Sequence, residues 1–269
     1  SILRELLAGL YVVGFDRIEL RDRSGFDGDR RRAVTDAATG LSGLDVMEAT
    51  DSRIGLRSLI DAGHVSIRKS VLRLRLVTLS MHRDATAAVV EGDAGLADRV
   101  IERDAEADRL FAMVTRYFRR SLSDLRIVEK LGHSRAELYE LYYVARQLER
   151  VGDHAEKTAR VAADRTEPPA EPFAEDLRTS ADRARSIVER ASDVILSGTD
   201  VGAATRALGD RDELVADVET IQRALYDDPT GEATFRDALL LDSVKRTADY
   251  GGNVAEMGIQ RTMRESGLA

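Results

Sequence analysis

Eight apolar or small residues, Leu138, Leu141, Ala145, Leu148, Gly152, Ala155, Ala159 and Ala162, recur at alternating steps of three and four. Such spacing is one stripe of an α-helix, and its small residues call for close approach by neighbouring helices. The stripe belongs to ELYELYYVARQLERVGDHAEKTARVAADR, residues 137–165. A second stripe of the same kind, Leu240, Val244, Thr247, Gly251, Val254 and Gly258, lies near the end of the chain. KRTADYGGNVAE, residues 245–256, aligns with ERVGDHAEKTAR, residues 149–160. Self-similarity at long period within a helical chain points to two copies of one helical unit.

The pattern assigns three helices to each copy. In the first they cover 59–90, 96–122 and the stripe helix ending near Asp164, with Gly92 and Gly95 as breakers. Its apolar positions include Ile60, Val65, Ile67, Val71, Leu72, Leu76 and Leu79. Glu167-Pro168-Pro169-Ala170-Glu171-Pro172 holds three of the four prolines and reads as a linker. The second copy covers 174–196, 201–225 with Gly209 inside it, and 235–264. The first 58 residues read differently. A helix over Ser1–Gly9 presents Ile2, Leu3, Leu6, Leu7 and Leu10, and Phe15–Arg21 alternates as a strand. A helix capped by Asp27 or Asp29 runs to Leu41 and ends at Gly43. Strands 44–49 and 53–57 follow, joined at Thr50-Asp51-Ser52. The expected fold is mainly α: two tandem three-helix bundles, 59–166 and 173–266, preceded by a small α/β module, 1–58.

Composition excludes several classes. There is no Cys, which rules out disulfides and Cys-based zinc sites. No run of eighteen apolar residues exists, so no membrane insertion is expected. The start lacks a secretory leader, and because the chain begins with Ser its natural N-terminus is expected upstream. A net charge of −8 argues against direct nucleic-acid contact by this portion. Gly-rich phosphate loops, nucleophile elbows, HExxH and Glu-x-x-His are all missing.

What remains is acidic. Glu149 and Asp153 sit one turn apart, one residue off the stripe. In the preceding helix, Ile101, Asp104, Asp108, Phe111, Thr115, Phe118 and Leu122 form another line. Its two aspartates repel by about 0.2–0.5 kcal/mol. With no Lys or Arg three or four residues from either, they need a partner outside the helix, or water. If both pairs face each other, four carboxylates converge as hard oxygen ligands for Mg²⁺, Mn²⁺, Ca²⁺ or iron. The plainer reading is a solvated helix face, with Arg146, Arg150 and Lys157 satisfying the acids. In the second copy Glu213, Asp217 and Asp249 mirror these acids, but Lys245 stands where Glu149 stood. An ammonium only donates, so Lys245 is expected to pair with Asp217 or Asp249, with Asp242 or Asn253 compensating in part. The first copy is then the better metal site. His154 reads as a surface histidine, with a peripheral ligand role as the alternative.

Residues 145–160, ARQLERVGDHAEKTAR, closely resemble the signature helix of PhoU-type phosphate-uptake regulators, roughly A-R-x-L-E-R-I-G-D-H-A-x-N-I-A-E. Lys157 and Arg160 stand where that family usually has Asn and Glu. Its members contain two three-helix repeats, so the resemblance covers roughly 59–265. It implies an E/D-x-x-x-D motif in each repeat, which in some members holds iron or zinc; here the motif falls at Asp104/Asp108 and Glu149/Asp153. The resemblance further implies a cytoplasmic, non-enzymatic, dimeric adaptor that represses phosphate uptake by contacting a phosphate ABC transporter or a signalling kinase. The first 58 residues resemble the segment that joins an AbrB-like DNA-binding hairpin to the helical body in archaeal members. Two alternatives follow: a transcription regulator whose DNA-binding module lies upstream, and a metal-dependent phosphohydrolase built on the carboxylates. The second lacks a base, an Arg clamp and a phosphate-binding element.

Overall fold

The structure is a computed structural model that describes residues 2–198, 201–227 and 232–266. Ser1, part of the first expected helix, lies outside the described residues. The elements are α1 (Ile2–Val13), β1 (Arg17–Arg21), α2 (Gly28–Thr39), β2 (Leu44–Ala49) and β3 (Arg53–Ser58), then a 3-10 turn (Ala62–His64). The helices α3 (Ile67–Glu91), α4 (Ala94–Ser123), α5 (Leu125–Leu131) and α6 (Arg135–Ala163) follow, then α7 (Glu171–Leu196), α8 (Val201–Asp227) and α9 (Glu232–Glu265). The architecture is mainly α with a small antiparallel sheet first, as the sequence pattern implies. Two compact units form: Ser1–Val71 with Asp108–Tyr142, and Leu72–Ala107 with Tyr143–Ala269.

In the first unit the strands pair in the order β1-β3-β2. Ile18 is buried and Leu20 half-buried, while Arg17, Glu19 and Arg21 are exposed, so β1 covers a core with one face only. That core joins Leu7, Tyr11, Val34, Ala38, Ile54 and Leu56. α1 runs past Gly9 to Val13 and buries Leu7 and Tyr11, leaving Ile2 and Leu6 exposed. Asp27 caps α2 by accepting from the Arg30 N–H. Gly40 closes that helix, and Gly43, expected to end it, instead adopts φ +72° ahead of β2.

Arg116 of α4 is fully buried and holds the α1–β1 corner. Its Nη1 donates to the Tyr11 carbonyl at 2.6 Å and the Phe15 carbonyl at 3.1 Å, and Nη2 to Asp16 Oδ1 at 2.6 Å. The guanidinium also lies 4.8 Å from the Tyr11 ring centroid. Further along α4, Phe118 stacks on Tyr142 of α6 with centroids 4.6 Å apart.

Several boundaries in the first copy differ from the sequence reading. α3 starts at Ile67, not Leu59, because Asp61 folds back to accept from Gly63 N–H and caps the 3-10 turn. Ile60 and Val65 therefore precede the helix. Leu76 is 66% exposed, and the buried face is Val71, Leu74, Thr78, Met81 and Ala85. Gly92 (φ +68°) breaks the chain, whereas Gly95 lies within α4. The short α5 was not visible in the periodicity; Asp124 caps it and Gly132 ends it in a left-handed conformation.

In the second unit α7, α8 and α9 pack pairwise as a three-helix bundle. Every residue of the two sequence stripes, on α6 and on α9, is buried. Glycine sets the α7–α9 spacing. A Cβ at Gly251 would lie 2.8 Å from Ile187 Cγ2 and 3.0 Å from the Val188 backbone nitrogen. One at Gly258 would lie 2.8 Å from Val194 Cγ1. Gly209 of α8 is exposed with nothing within 4 Å.

These two glycine environments predict opposite outcomes. Gly251→Ala forces backbone against side chain and should destabilise by about 1–3 kcal/mol. Gly209→Ala removes helix-interior glycine at an open position and should stabilise by about 0.5–1 kcal/mol. Urea unfolding of both variants checks this; equal effects would refute the close-approach argument.

Candidate functional site

The acidic residues are positioned by small side chains in the stripe behind them. A methyl at Gly152 of α6 would lie 3.2 Å from Thr78 Cγ2, 3.7 Å from Ala107 Cβ and 3.9 Å from Asp104 Oδ1. α3, α4 and α6 therefore meet at Gly152, and the Asp104 carboxylate lies beside the α6 turn that carries Glu149 and Asp153. Asp108, one turn further along α4, is exposed, as is Asp153. Glu149 is 13% exposed at its side chain, and Arg146 Nη1 lies 3.2 Å from each of its carboxylate oxygens. The partner that Asp104 needs from outside its helix includes Arg160 of α6, whose guanidinium is held in its charged form first by Glu156 and further by Asp104. Among the described residues no three His, Cys, Asp or Glu side chains are arranged to hold a metal ion. The donor set on α4 and α6 does not form a closed oxygen cage: an arginine spans the best-buried carboxylate.

The acids of the second copy are drawn apart by cations from α7 and α9. Asp217 accepts from Arg183 at 2.6 Å, and Arg190 pairs with Asp210. Glu213 is exposed and borders a cavity of about 240 Å³ together with Arg183, Arg190 and Asp210. Asp249 is 4.0 Å from Arg246. Lys245 donates to Glu219 at 3.1 Å, not to Asp217 or Asp249 as the sequence suggested. The lysine points across to Glu219 of α8, and Asp217, two residues earlier and so turned to another side of that helix, is already taken by Arg183. Asn253 likewise does not compensate in this row: its Nδ2 donates to Gln147 Oε1 at 3.1 Å.

That last contact belongs to a polar cluster that periodicity did not reveal. His154, expected at the surface, is half-buried, with Nε2 3.3 Å from the Tyr250 hydroxyl and Nδ1 buried without a hydrogen-bond partner. Arg150 lies 5.6 Å over the Tyr250 ring. Burial pushes the His154 imidazole down to about 4, helped by Lys157 and Arg246 and opposed by Asp242. His82 of α3 is buried, its Nδ1 3.2 Å from Arg185 Nη1, and burial with that cation lowers it to about 3. Arg75 reaches Asp193 at 2.6 Å, and Arg165 reaches Asp237 at 2.6 Å with both side chains nearly buried. In the second unit several polar contacts thus link the two copies. The one sequence signal was the placement of His154 within the stripe helix.

Comparison with known proteins bears on this geometry. Residues 57–162 match the PhoU domain family. No curated protein matches the chain in sequence. The structure resembles PhoU from Pseudomonas aeruginosa with a TM-score of 0.59 at 21% identity, covering 72% of this chain and 93% of that one. It also resembles the phosphate transport system regulatory protein PhoU from Streptococcus pneumoniae, with a TM-score of 0.57 at 17% identity, covering 72% of this chain and 91% of that one. Both likenesses are of fold, and both span more of the chain than one three-helix copy supplies.

The buried histidines make stability depend on pH in a defined direction. Unfolded histidine takes a proton near pH 6.5, whereas folded His154 does so only near 4. Between those values the unfolded chain binds more protons, so stability present above about pH 6.5 is lost as pH falls toward 4. His154→Gln should flatten the fall of melting temperature between pH 6.5 and 4.5, by at most one proton's slope, about 1.4 kcal/mol per pH unit. Carboxylate titrations are common to both proteins and cancel in the comparison; an unchanged slope would contradict a buried neutral His154.

Proposed function

We propose that this chain, whose residues 57–162 match the PhoU domain family on a fold similar to that of PhoU proteins, is a non-enzymatic regulator of phosphate transport. It acts in the cytoplasm, as a homodimer, on subunits of a phosphate ABC transporter or on a signalling protein. The domain match, which spans the α6 stripe, carries this reading. No helix among the described residues is long and apolar enough to cross a membrane. Long helices with exposed shoulders of alternating charge give a partner's helix or loop both a groove and an electrostatic register. Asp104, Glu149 and Asp153 supply the acidic part of that shoulder.

Metal belongs to the proposal only in a limited form. A hard divalent or ferric cation (iron, zinc, Mn or Mg) would be held by Asp104, Glu149 and Asp153, with Asp108 one turn away on α4, and would supply positive charge where Arg146 now supplies it. In the second copy the arginines on Asp217 and Asp210 and the lysine on Glu219 occupy that role around Glu213, Asp217 and Asp249.

Cross-linking followed by affinity capture from phosphate-replete cells tests the regulator reading, with recovery of a phosphate transporter subunit or its signalling kinase as the expected result. Mn²⁺- or Fe²⁺-dependent turnover of phosphomonoesters, lost in an Asp104→Ala/Asp153→Ala variant, would replace it with an enzyme. Elemental analysis should find sub-stoichiometric metal that rises in Arg146→Ala, because that change removes one cation that competes for the Glu149 oxygens.

A further inference from the structure

The first unit contains a cavity of about 470 Å³ where the sheet meets α4 and α5. Four cations border it: Arg17 of β1, Arg57 of β3, Arg120 of α4 and Lys130 of α5. Two carboxylates border it as well, Asp16 and Asp61. Both acids are already committed. Asp16 accepts from Arg120 at 2.8 and 3.1 Å and from buried Arg116, and Asp61 accepts from Lys130 at 2.8 Å and caps the 3-10 turn. Arg17 and Arg57 have no ion pair among the described residues.

Those two arginines stand directly opposite each other in the antiparallel register of β1 and β3, and both are exposed. Like charges at opposed positions destabilise a sheet. Asp45 of β2 stands opposite Arg57 on its other side, yet neither arginine forms an ion pair among the described residues, and the cavity lining itself carries four cations against two carboxylates. The rest of the cavity is prepared. Gly14 has φ +112°, and a Cβ there would lie 2.6 Å from Arg120 Cγ, so glycine lets the Arg120 stem lie flat against the chain. Arg120 is then fixed in a two-bond contact with Asp16. Ile60 and buried Ile127 add apolar wall.

We propose that this cavity binds a small organic phosphate: a dianionic phosphoryl group between Arg17 and Arg57, its organic body against Ile60 and Ile127. Guanidinium forks match phosphoryl oxygens in pairs. The volume falls within the roughly 300–1,000 Å³ of small-molecule sites and exceeds what a bare phosphate ion fills. The site lies in the α/β module and its adjoining helices, outside the carboxylate rows, and does not depend on the regulator reading.

Titration calorimetry of the full chain with ribose 5-phosphate and with adenosine 5′-monophosphate tests it, against ribose, adenosine, succinate and inorganic phosphate. At least one ester should bind, more weakly as salt rises, while ribose and adenosine give no heat. Arg17→Gln/Arg57→Gln should weaken ester binding by about tenfold or more through loss of charge-assisted hydrogen bonds. Arg17→Glu pairs with Arg57; it should abolish binding while raising the melting temperature, which separates a lost site from a lost fold. Silence with both esters, binding unchanged in the double variant, or inorganic phosphate or succinate binding as tightly as the esters would each overturn the assignment.

Discussion

Close backbone approach at small residues is the constraint on which the helical part of this protein rests. At Gly251 the backbone of α7 comes within 3.0 Å of where a Cβ would sit. At Gly152, side chains of α3 and α4 come within 3.2 and 3.7 Å of the same hypothetical atom. Aromatic residues are only 5% of the chain and Trp is missing, so large side chains do little of the space-filling. Ala, Val and Leu in contact at short interaxial distance do it instead, which makes the packing intolerant of added volume.

The same closeness governs the acids. Asp104 is carried toward α6 because Ala107 and Gly152 let the helices meet. Once there, it shares a surface rich in arginine. Arg146 spans Glu149, Arg183 takes Asp217 and Arg190 takes Asp210, each a guanidinium supplied from the same or the next helix. Forked donors suit carboxylates well and stay charged at any physiological pH. In the second copy the exchange of Glu149's counterpart for Lys245 continues this trend. The acidic rows thus act here as electrostatic seams, within α6 at Glu149 and between α7 and α8 at Asp217 and Asp210.

Polar contacts also join the two copies within the second unit. Asn253 with Gln147, Tyr250 with His154 and Arg185 with His82 lie where a purely apolar junction would be expected of tandem bundles. A half-satisfied group such as His154 Nδ1 costs free energy that an apolar side chain would not. In the first unit Arg116 plays a comparable part: one buried guanidinium closes the carbonyls of Tyr11 and Phe15 and fixes Asp16, which in turn orients Arg120 toward the basic cavity.

The sequence alone determined the stripe helices, their repetition, the three strands and the acidic shoulder, because each of these is a local periodicity. All fourteen residues of the two stripes are buried, and the turn at Thr50-Asp51-Ser52 joins β2 to β3 as its composition implies. Tertiary structure decided everything that depends on a partner distant in sequence. The start of α3 moved to Ile67 through a cap at Asp61, Leu76 turned outward, Lys245 found Glu219, and His154 was covered by α9. A helical pattern states which face is apolar; it carries no information about which charge the next helix will present to that face. Only the packed chain sets those distances, and at a few ångströms a choice between a lysine, an arginine and a metal ion is made by distance.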